Sequence, residues 1–486
     1  MDEGLMLLLV GIVLSASVVA ALGAARTGLP VLVAFLGIGM LLGSDGPGNI
    51  SFDDAELTQR IGTVGLGLIL YEGGLQTSWR RLREVVVPAA LLSTVGVFVT
   101  ALIAGVGAHA LFSLSWLEAF LLGAVIASTD AAAVFATLRT TQIRRRLART
   151  LEAESGGNDP MAIALTVGLI AWIEHDPGTY GAADLALEVV RQIGIGLVAG
   201  VVLGALATWV FARIPATVGS FAPVASLAAA AISFGAADVL GGSGFLAVYL
   251  VGLAVGSTPS RYRRQLVAFH EGLAFAAQVA LFVVLGLLVF PGDLPHVALP
   301  GLALTLLLML VARPAAVWLS TLFSNYSQRE RILLGWAGLR GAVPIVLATF
   351  ALSSHVPHRE TIFNAVFFVV LVSTAVQGTT LERVAGRLGL LTRRPSAGEP
   401  PLRIASESDV ELVDFAVAGD HAVNGSAVRE LGLPRDALVA VIARGSSTLP
   451  PRGSTVVEEG DRLYVLVSRK KRADLEDVFA RWRRRV

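Results

Sequence analysis

Thirteen apolar runs recur between residues 4 and 381: roughly 4–22, 29–43, 61–75, 86–112, 117–137, 154–173, 188–212, 220–239, 243–257, 271–290, 297–322, 331–351 and 361–381. A helix that crosses a bilayer needs about 20 apolar residues, and fewer where it is broken or buried in protein. Charged residues are 15% of the 486-residue chain and hydrophobic residues 54%, whereas an average soluble domain is about 25% charged. A water-soluble fold cannot hide so much apolar surface. The expected fold class is therefore an all-α polytopic membrane protein of about thirteen transmembrane helices. The first run follows Asp2 and Glu3, where a cleaved signal wants positive charge, so it reads as the first membrane helix.

The loops test this division, because Arg-rich loops belong in the cytosol. Alternate loops are basic: Arg80, Arg81 and Arg83; Arg139, Arg144, Arg145, Arg146 and Arg149; Arg261, Arg263 and Arg264; then Arg383, Arg387, Arg393 and Arg394. Intervening loops are acidic or neutral, with Asp45, Asp53, Asp54 and Glu56 in one and Glu174, Asp176 and Asp184 in another. With an odd number of spans, the N-terminus lies outside and the C-terminus in the cytosol. The expected locale is a bacterial cytoplasmic membrane.

Composition changes near residue 395. Residues 1–390 read as the transmembrane domain, 391–408 as a linker marked by Pro395, Pro400 and Pro401, and 409–486 as a small cytosolic α+β module. Its strands are expected at Glu411–Ala416, Leu438–Ala443 and Arg462–Val467, with a short helix at Ser426–Leu431.

Several function classes are excluded. The chain has no Cys, so disulfides, thiolate metal sites and cysteine nucleophiles are absent. Its only lysines, Lys470 and Lys471, leave no Walker A lysine. A net charge of +1 gives no nucleic-acid signal. No metal motif or nucleophile–base pair marks an enzyme, and no cofactor is implied.

Charges inside the spans point to function, since each costs about 2.5–3.5 kcal/mol at the bilayer centre even on the lenient insertion scale. Four acids qualify: Glu72, Asp130, Glu154 and Asp159. Glu154, and to a lesser degree Glu72, can be read as helix-end acids that reach water. Asp130 and Asp159 are too short to snorkel far. Asp130 ends the run Ala127-Ser128-Thr129-Asp130, and Asp159 lies in Glu154-Ser155-Gly156-Gly157-Asn158-Asp159-Pro160. Ser, Thr and Asp compete for backbone hydrogen bonds and favour interrupted helices. A second interruption is expected at Gly338-Leu339-Arg340-Gly341, seven spans further on. Two interrupted helices at corresponding places indicate inverted repeats. Arg340 keeps its proton and needs an acid or exposed carbonyls; Arg313 reads as structural, snorkelling towards the cytosolic face. The excess of acid must be neutralised by protons or hard cations. His109, His175 and His270 read as interfacial or satisfied side chains.

Thr129-Asp130, Glu154 to Pro160 and Gly338 to Gly341 together resemble the motifs of the monovalent cation/proton antiporters, in the sodium/proton exchanger-like branch of the first cation–proton antiporter group. Pro451-Arg452-Gly453-Ser454-Thr455 with Glu459-Gly460-Asp461-Arg462-Leu463 resembles a TrkA-C domain, without the Gly-rich nucleotide-binding half. The combination is similar to bacterial potassium/proton antiporters linked to cell-volume regulation. The resemblance implies that Asp159 carries the cation or proton. It adds Asp130, Ser155, the Thr129 carbonyl and Glu72 as ligands, with the monovalent cation at Asp159 and Asp130. Asn158 would orient the crossing, and Glu154 with Arg340 would form a buried ion pair. Gly157 stands where many relatives carry a larger residue. The family is dimeric, so a homodimer is expected. The expected activity is electroneutral exchange of potassium, or sodium, for protons by alternating access. One alternative is a sodium/proton antiporter; another is a ligand-gated cation channel with a sensor tail, against which stand the buried acids and the lack of a TVGYG-like filter. Arg444 and Arg452 would give the tail charge for a small anionic ligand, or the tail is a dimerisation module with solvated arginines.

Overall fold

The computed structural model describes residues 3–27, 31–138, 141–393, 410–445, 447–468 and 471–483. It divides into two compact units, Met1–Arg393 and Arg394–Val486. The linker prolines Pro395, Pro400 and Pro401, with Arg139 and Arg394, lie outside the described residues.

In the first unit, the described helices fall into thirteen successive spans. Spans 1 to 4 are Glu3–Thr27, Val31–Leu42, Ala55–Gln76 and Val86–Phe112. Span 5 is broken into Trp116–Val125 and Ala131–Thr137, and span 6 is Arg145–Glu174. Spans 7 to 11 are Ala182–Phe211, Ala222–Val239, Gly244–Ser257, Arg263–Leu287 and Pro291–Ser320. Span 12 is broken into Gln328–Trp336 and Ala342–Leu352, and span 13 is Arg359–Arg387. Spans 4, 7, 8, 10, 11 and 13 are each continuous and apolar enough to cross a bilayer.

Spans 3, 6, 7, 10 and 11 all start well before the expected residue, and two of these shifts bear on the site. Span 3 begins at Ala55 because Asp54 caps it, its carboxylate accepting from Leu57 N at 2.8 Å. Span 6 begins at Arg145, so Glu154 lies within the helix, 1% exposed, and cannot reach water as a helix-end acid.

Contacts between loops sort into two sets. At one end, Gly292 N donates to Asp45 at 3.0 Å, Ser353 Oγ to Gln59 at 2.6 Å and His355 N to Glu174 at 2.9 Å. At the other, Trp79 N donates to Ser257 Oγ at 2.8 Å and Arg146 to Asn325 O at 2.6 Å. There too, strand β1 (Thr141–Ile143) pairs antiparallel with β2 (Leu391–Arg393), within the stretch expected as linker. Each contact joins loops that the alternation of spans assigns to one side. A miscounted span would have mixed the sets.

The same irregularities recur seven spans apart. Spans 4 and 11 each contain a π-helical turn, Leu92–Gly96 and Leu308–Ala312. Spans 5 and 12 each contain a break. This is the pattern expected of two related halves. Elsewhere helices touch backbone to backbone: a Cβ on Gly74 of span 3 would lie 2.4 Å from the carbonyl oxygen of Tyr249, and one on Gly252 of span 9 would lie 2.4 Å from that of Tyr71.

The second unit is a four-stranded antiparallel sheet in the order β3 (Val410–Ala416), β6 (Arg462–Ser468), β4 (Ala437–Arg444), β5 (Ser447–Leu449). The expected helix at Ser426–Leu431 is a single 3-10 turn, Val428–Glu430. A C-terminal helix, Arg472–Trp482, covers the sheet's core through Leu475, Phe479 and Trp482; Trp482 Nε1 donates to Leu431 O at 2.8 Å.

Candidate cation and proton site

The breaks in spans 5 and 12 meet and complete each other. Breaking a helix leaves backbone groups without partners, which lipid cannot satisfy. Asp130 N donates to Leu339 O at 2.8 Å. Arg340 Nη1 donates to Ala127 O at 2.6 Å and also to Ser128 O. The guanidinium thus sits at the carbonyl end of the first half of span 5, where a positive charge is favoured. Asp130 caps the second half, accepting from Ala133 N at 3.1 Å. Gly341 makes this close crossing possible, since a Cβ there would fall 1.9 Å from Asp130 Oδ2. Span 13 ties the break in span 12: Thr374 Oγ1 donates to Arg340 O at 2.7 Å and Gln377 Nε2 to Trp336 O at 3.0 Å.

Span 6 passes beside the crossing. Asn158 Nδ2 donates to Thr129 Oγ1 at 2.6 Å, and Ser155 Oγ accepts from Ala131 N at 3.3 Å. These bonds fix the helix so that Asp159, 5% exposed, faces the break next to Ser128 and Asp130. Asp159 Oδ1 is buried without a hydrogen-bond partner among the described residues, as is Ser128 Oγ. A cavity of about 520 Å³ begins there. Asp159, Asp130, Ser155 and Glu72 all border it. Thr129 does not; its carbonyl, the expected ligand, accepts from Asn158 Nδ2 at 3.4 Å, as its hydroxyl does at 2.6 Å. The cavity runs along span 3 from Leu66 through Glu72 to Gln76 and Thr77, and along span 6 from Asp159 to the exposed Glu152. Both directions lead to the end of the bundle that carries the Arg-rich loops. On the opposite side, span 3 closes on span 12, with Val346 Cγ1 2.9 Å from where a Cβ of Gly62 would stand.

The expected ion pair is different. Glu154 pairs with Arg313, not with Arg340, and the two side chains are 1% and 3% exposed. Arg313 does not snorkel away; it lies under the break in span 12, where Gly338 leaves it room, a Cβ there meeting Arg313 Nε at 2.7 Å. Arg340 has the carbonyls instead, so Arg313 is the cation that compensates Glu154. Gly157 also has a packing role: Ser93 Oγ of span 4 would lie 2.7 Å from a Cβ there, and it donates between Ala89 O and Glu154 O, at 2.8 and 2.9 Å. His109 and His175 each face a carbonyl at 2.6 Å. His270 is satisfied on one side only: its Nε2 faces Ser226 Oγ at 2.9 Å, while its buried Nδ1 has no hydrogen-bond partner among the described residues.

Span spacing did not bring out Tyr249 of span 9 or Gln278 of span 10, which also border the cavity. Tyr249 is a lone polar group in the middle of an apolar helix, and Gln278 follows His270 and Glu271 in a helix that is apolar from there on; the sequence offers no stronger signal.

In the tail, Arg444 does not fit the expectation of a free charge for an anion. It holds buried Asp461 through Nε and Nη2, both at 2.8 Å, and pairs with Glu458. Arg452 is in the loop before β6, its amide donating to Thr455 Oγ1 at 2.9 Å.

Residues 13–386 match the family described as sodium/hydrogen exchanger, transmembrane, and residues 412–480 match the TrkA-C domain. A K(+)/H(+) antiporter NhaP2 of Shewanella sp. (strain MR-4) is 39% identical over 97% of this chain and 83% of its own length. A K(+)/H(+) antiporter NhaP of Alkalimonas amylolytica is 36% identical over 98% of this chain and 82% of its own. A Na(+)/H(+) antiporter ApNhaP of Aphanothece halophytica is 29% identical over 71% and 68%. The solved structure of the sodium proton antiporter MjNhaP1 from Methanocaldococcus jannaschii shares the fold, with a TM-score of 0.68 over 79% of this chain and 99% of that one at 24% identity.

Proposed function

Because this chain belongs to the sodium/hydrogen exchanger family and carries a TrkA-C domain, we propose that it exchanges potassium for protons across a bacterial cytoplasmic membrane, one for one, as a homodimer. The observation that carries this reading is Asp159: a buried carboxylate beside a second one, Asp130, with no basic side chain paired to it among the described residues, at the inner end of a cavity that leads towards the Arg-rich loops. Two neighbouring carboxylates, Asp159 buried and Asp130 half-buried, cannot both stay charged and unneutralised at tolerable cost. A proton or a cation must neutralise the site, and the two exclude each other. Either one discharges Asp159 and lets the site change sides, while the empty charged state is held back.

Asn158, rather than a further carboxylate, precedes Asp159 on span 6, which favours one proton per cation. Glu72, in the same cavity, is the further ligand. The Arg-rich loops at the open end support an inward-facing state with both the cavity mouth and the tail in the cytosol. Potassium is favoured because the relatives that match the chain along nearly all its length, tail included, bear that ion in their names. The exchanger extends through β2 to Arg393, the linker follows it, and 409–486 is the regulatory module; a small anionic ligand of the tail would meet Arg452 rather than the engaged Arg444.

The test is collapse of an imposed pH gradient in reconstituted vesicles on adding potassium, sodium or lithium salts. Potassium should act at the lowest concentration. Response to sodium alone would turn the reading to sodium/proton exchange, and no response to any of the three would overturn it.

A further inference from the structure

Tyr249, in the middle of span 9, reaches across to span 6 and ends in the cavity of Asp159. Its ring lies over Gly156: a Cβ there would be 2.2 Å from Tyr249 Cζ and 2.4 Å from its hydroxyl oxygen. Gly156 is one helical turn from both Asp159 and Glu152, and all three border the cavity. The phenol therefore stands on the path from the exposed Glu152 to the buried Asp159, and both carboxylates interact with it.

Two oxygens at this place lack ordinary partners. Tyr249 is 7% exposed, and its hydroxyl makes no hydrogen bond of regular geometry among the described residues, Thr77 being the side chain within its reach. Buried hydroxyls are seldom left so in native proteins unless a ligand or water uses them. Pro160, four residues after Gly156, has no N–H to give to the Gly156 carbonyl. Neutral hydroxyl and carbonyl oxygens are the ligands that replace water around a hard monovalent cation.

We propose that the Tyr249 hydroxyl, with the Gly156 carbonyl, receives the cation as it sheds water on its way to Asp159, so that Tyr249 is a specificity-determining residue of the site. It is contributed by span 9, a helix outside the crossing of spans 5, 6 and 12. This rests on cation/proton exchange at Asp159.

Tyr249→Phe keeps the ring and removes only the oxygen. In the vesicle assay, half-saturating potassium should rise about 2- to 10-fold, the worth of one neutral hydrogen bond. It should rise by a larger factor than the maximal rate falls, and the ratio of potassium to sodium preference should change. Tyr249→Leu removes ring and oxygen together. As ligand, the residue gives both variants the same altered preference. As packing alone, it leaves Phe at wild-type half-saturation and preference while Leu loses melting temperature and rate; that outcome overturns the proposal. Wild-type protein in the same vesicles separates the two failures: no exchange there defeats the premise, whereas normal exchange with an unaltered Tyr249→Phe defeats only the role of Tyr249.

Discussion

Glu154 and Asp159 lie five residues apart on one helix, both buried, and the protein treats them oppositely. Glu154 has a permanent counter-ion in Arg313, and the neighbouring Ser93 hydroxyl bonds to its carbonyl. Asp159 faces a second acid and a cavity, with one oxygen bare among the described residues. A buried carboxylate with a built-in cation is part of the framework. One without is a vacancy for a mobile charge. Depth is the same in both cases, so depth alone does not mark a transport site; the identity of the counter-charge does.

The largest effect is expected at the bare carboxylate. Asp159→Asn should reduce coupled exchange to the level of empty vesicles. Its melting temperature should hold or rise, because Asn keeps the volume and removes an uncompensated charge. Near-normal gradient collapse by folded Asp159→Asn protein would erase the distinction between the two carboxylates.

At the paired carboxylate the effect should be on stability. Arg313→Ala strands Glu154, and breaking such a pair costs about 3–5 kcal/mol. Combining it with Glu154→Gln should recover most of the loss, which thermal melting of single and double variants reads as a coupling energy. Wild-type melting for Arg313→Ala would show that the pair carries no weight.

A third buried carboxylate, Asp461 in the tail, sharpens the contrast at lower amplitude. Burial pushes its pKa up, but hydrogen bonds from Arg444 and the Glu458 amide outweigh that and hold it below the ordinary range. A depressed folded value means that its contribution is present above the unfolded value of about 3.9 and is lost as pH falls through the folded one. Asp461→Asn should therefore make the tail easier to cleave by protease at neutral pH, and the difference from wild type should fade on acidification below about pH 4. A difference that persists in acid would argue that shape, not charge, matters there.

Local patterns reveal some of this and hide the rest. The thirteen runs and the Arg alternation are properties of consecutive residues, and the helices follow them closely. Asp130, Ser155 and Asp159 are legible for the same reason, since hydroxyls, acids, Gly and Pro cluster within a few residues. The partner of Glu154 is not legible. Arg313 and Arg340 both lie in the second half of the chain, and only the path of Arg313 past Gly338 and of Arg340 to the carbonyls of span 5 decides which one arrives. Tyr249 is hidden similarly: its role depends on a glycine 93 residues away in sequence, at Gly156.

The contact between that glycine and the tyrosine ring also has a mechanical side. Spans 3 and 9 are locked by peptide groups in direct touch, as at Gly74 and Gly252. Such a seam has no side chains to rearrange, so it resists shear like a weld. Between spans 9 and 6 the contact is a ring resting on a bare stretch of helix, and between spans 3 and 12 it is an isopropyl group against Gly62. Side chains of this kind exchange rotamers far faster than whole helices move. Any slip between the welded pair and the helices that hold Asp159 would pass over these side-chain contacts, with Tyr249 as the bearing between the two sides.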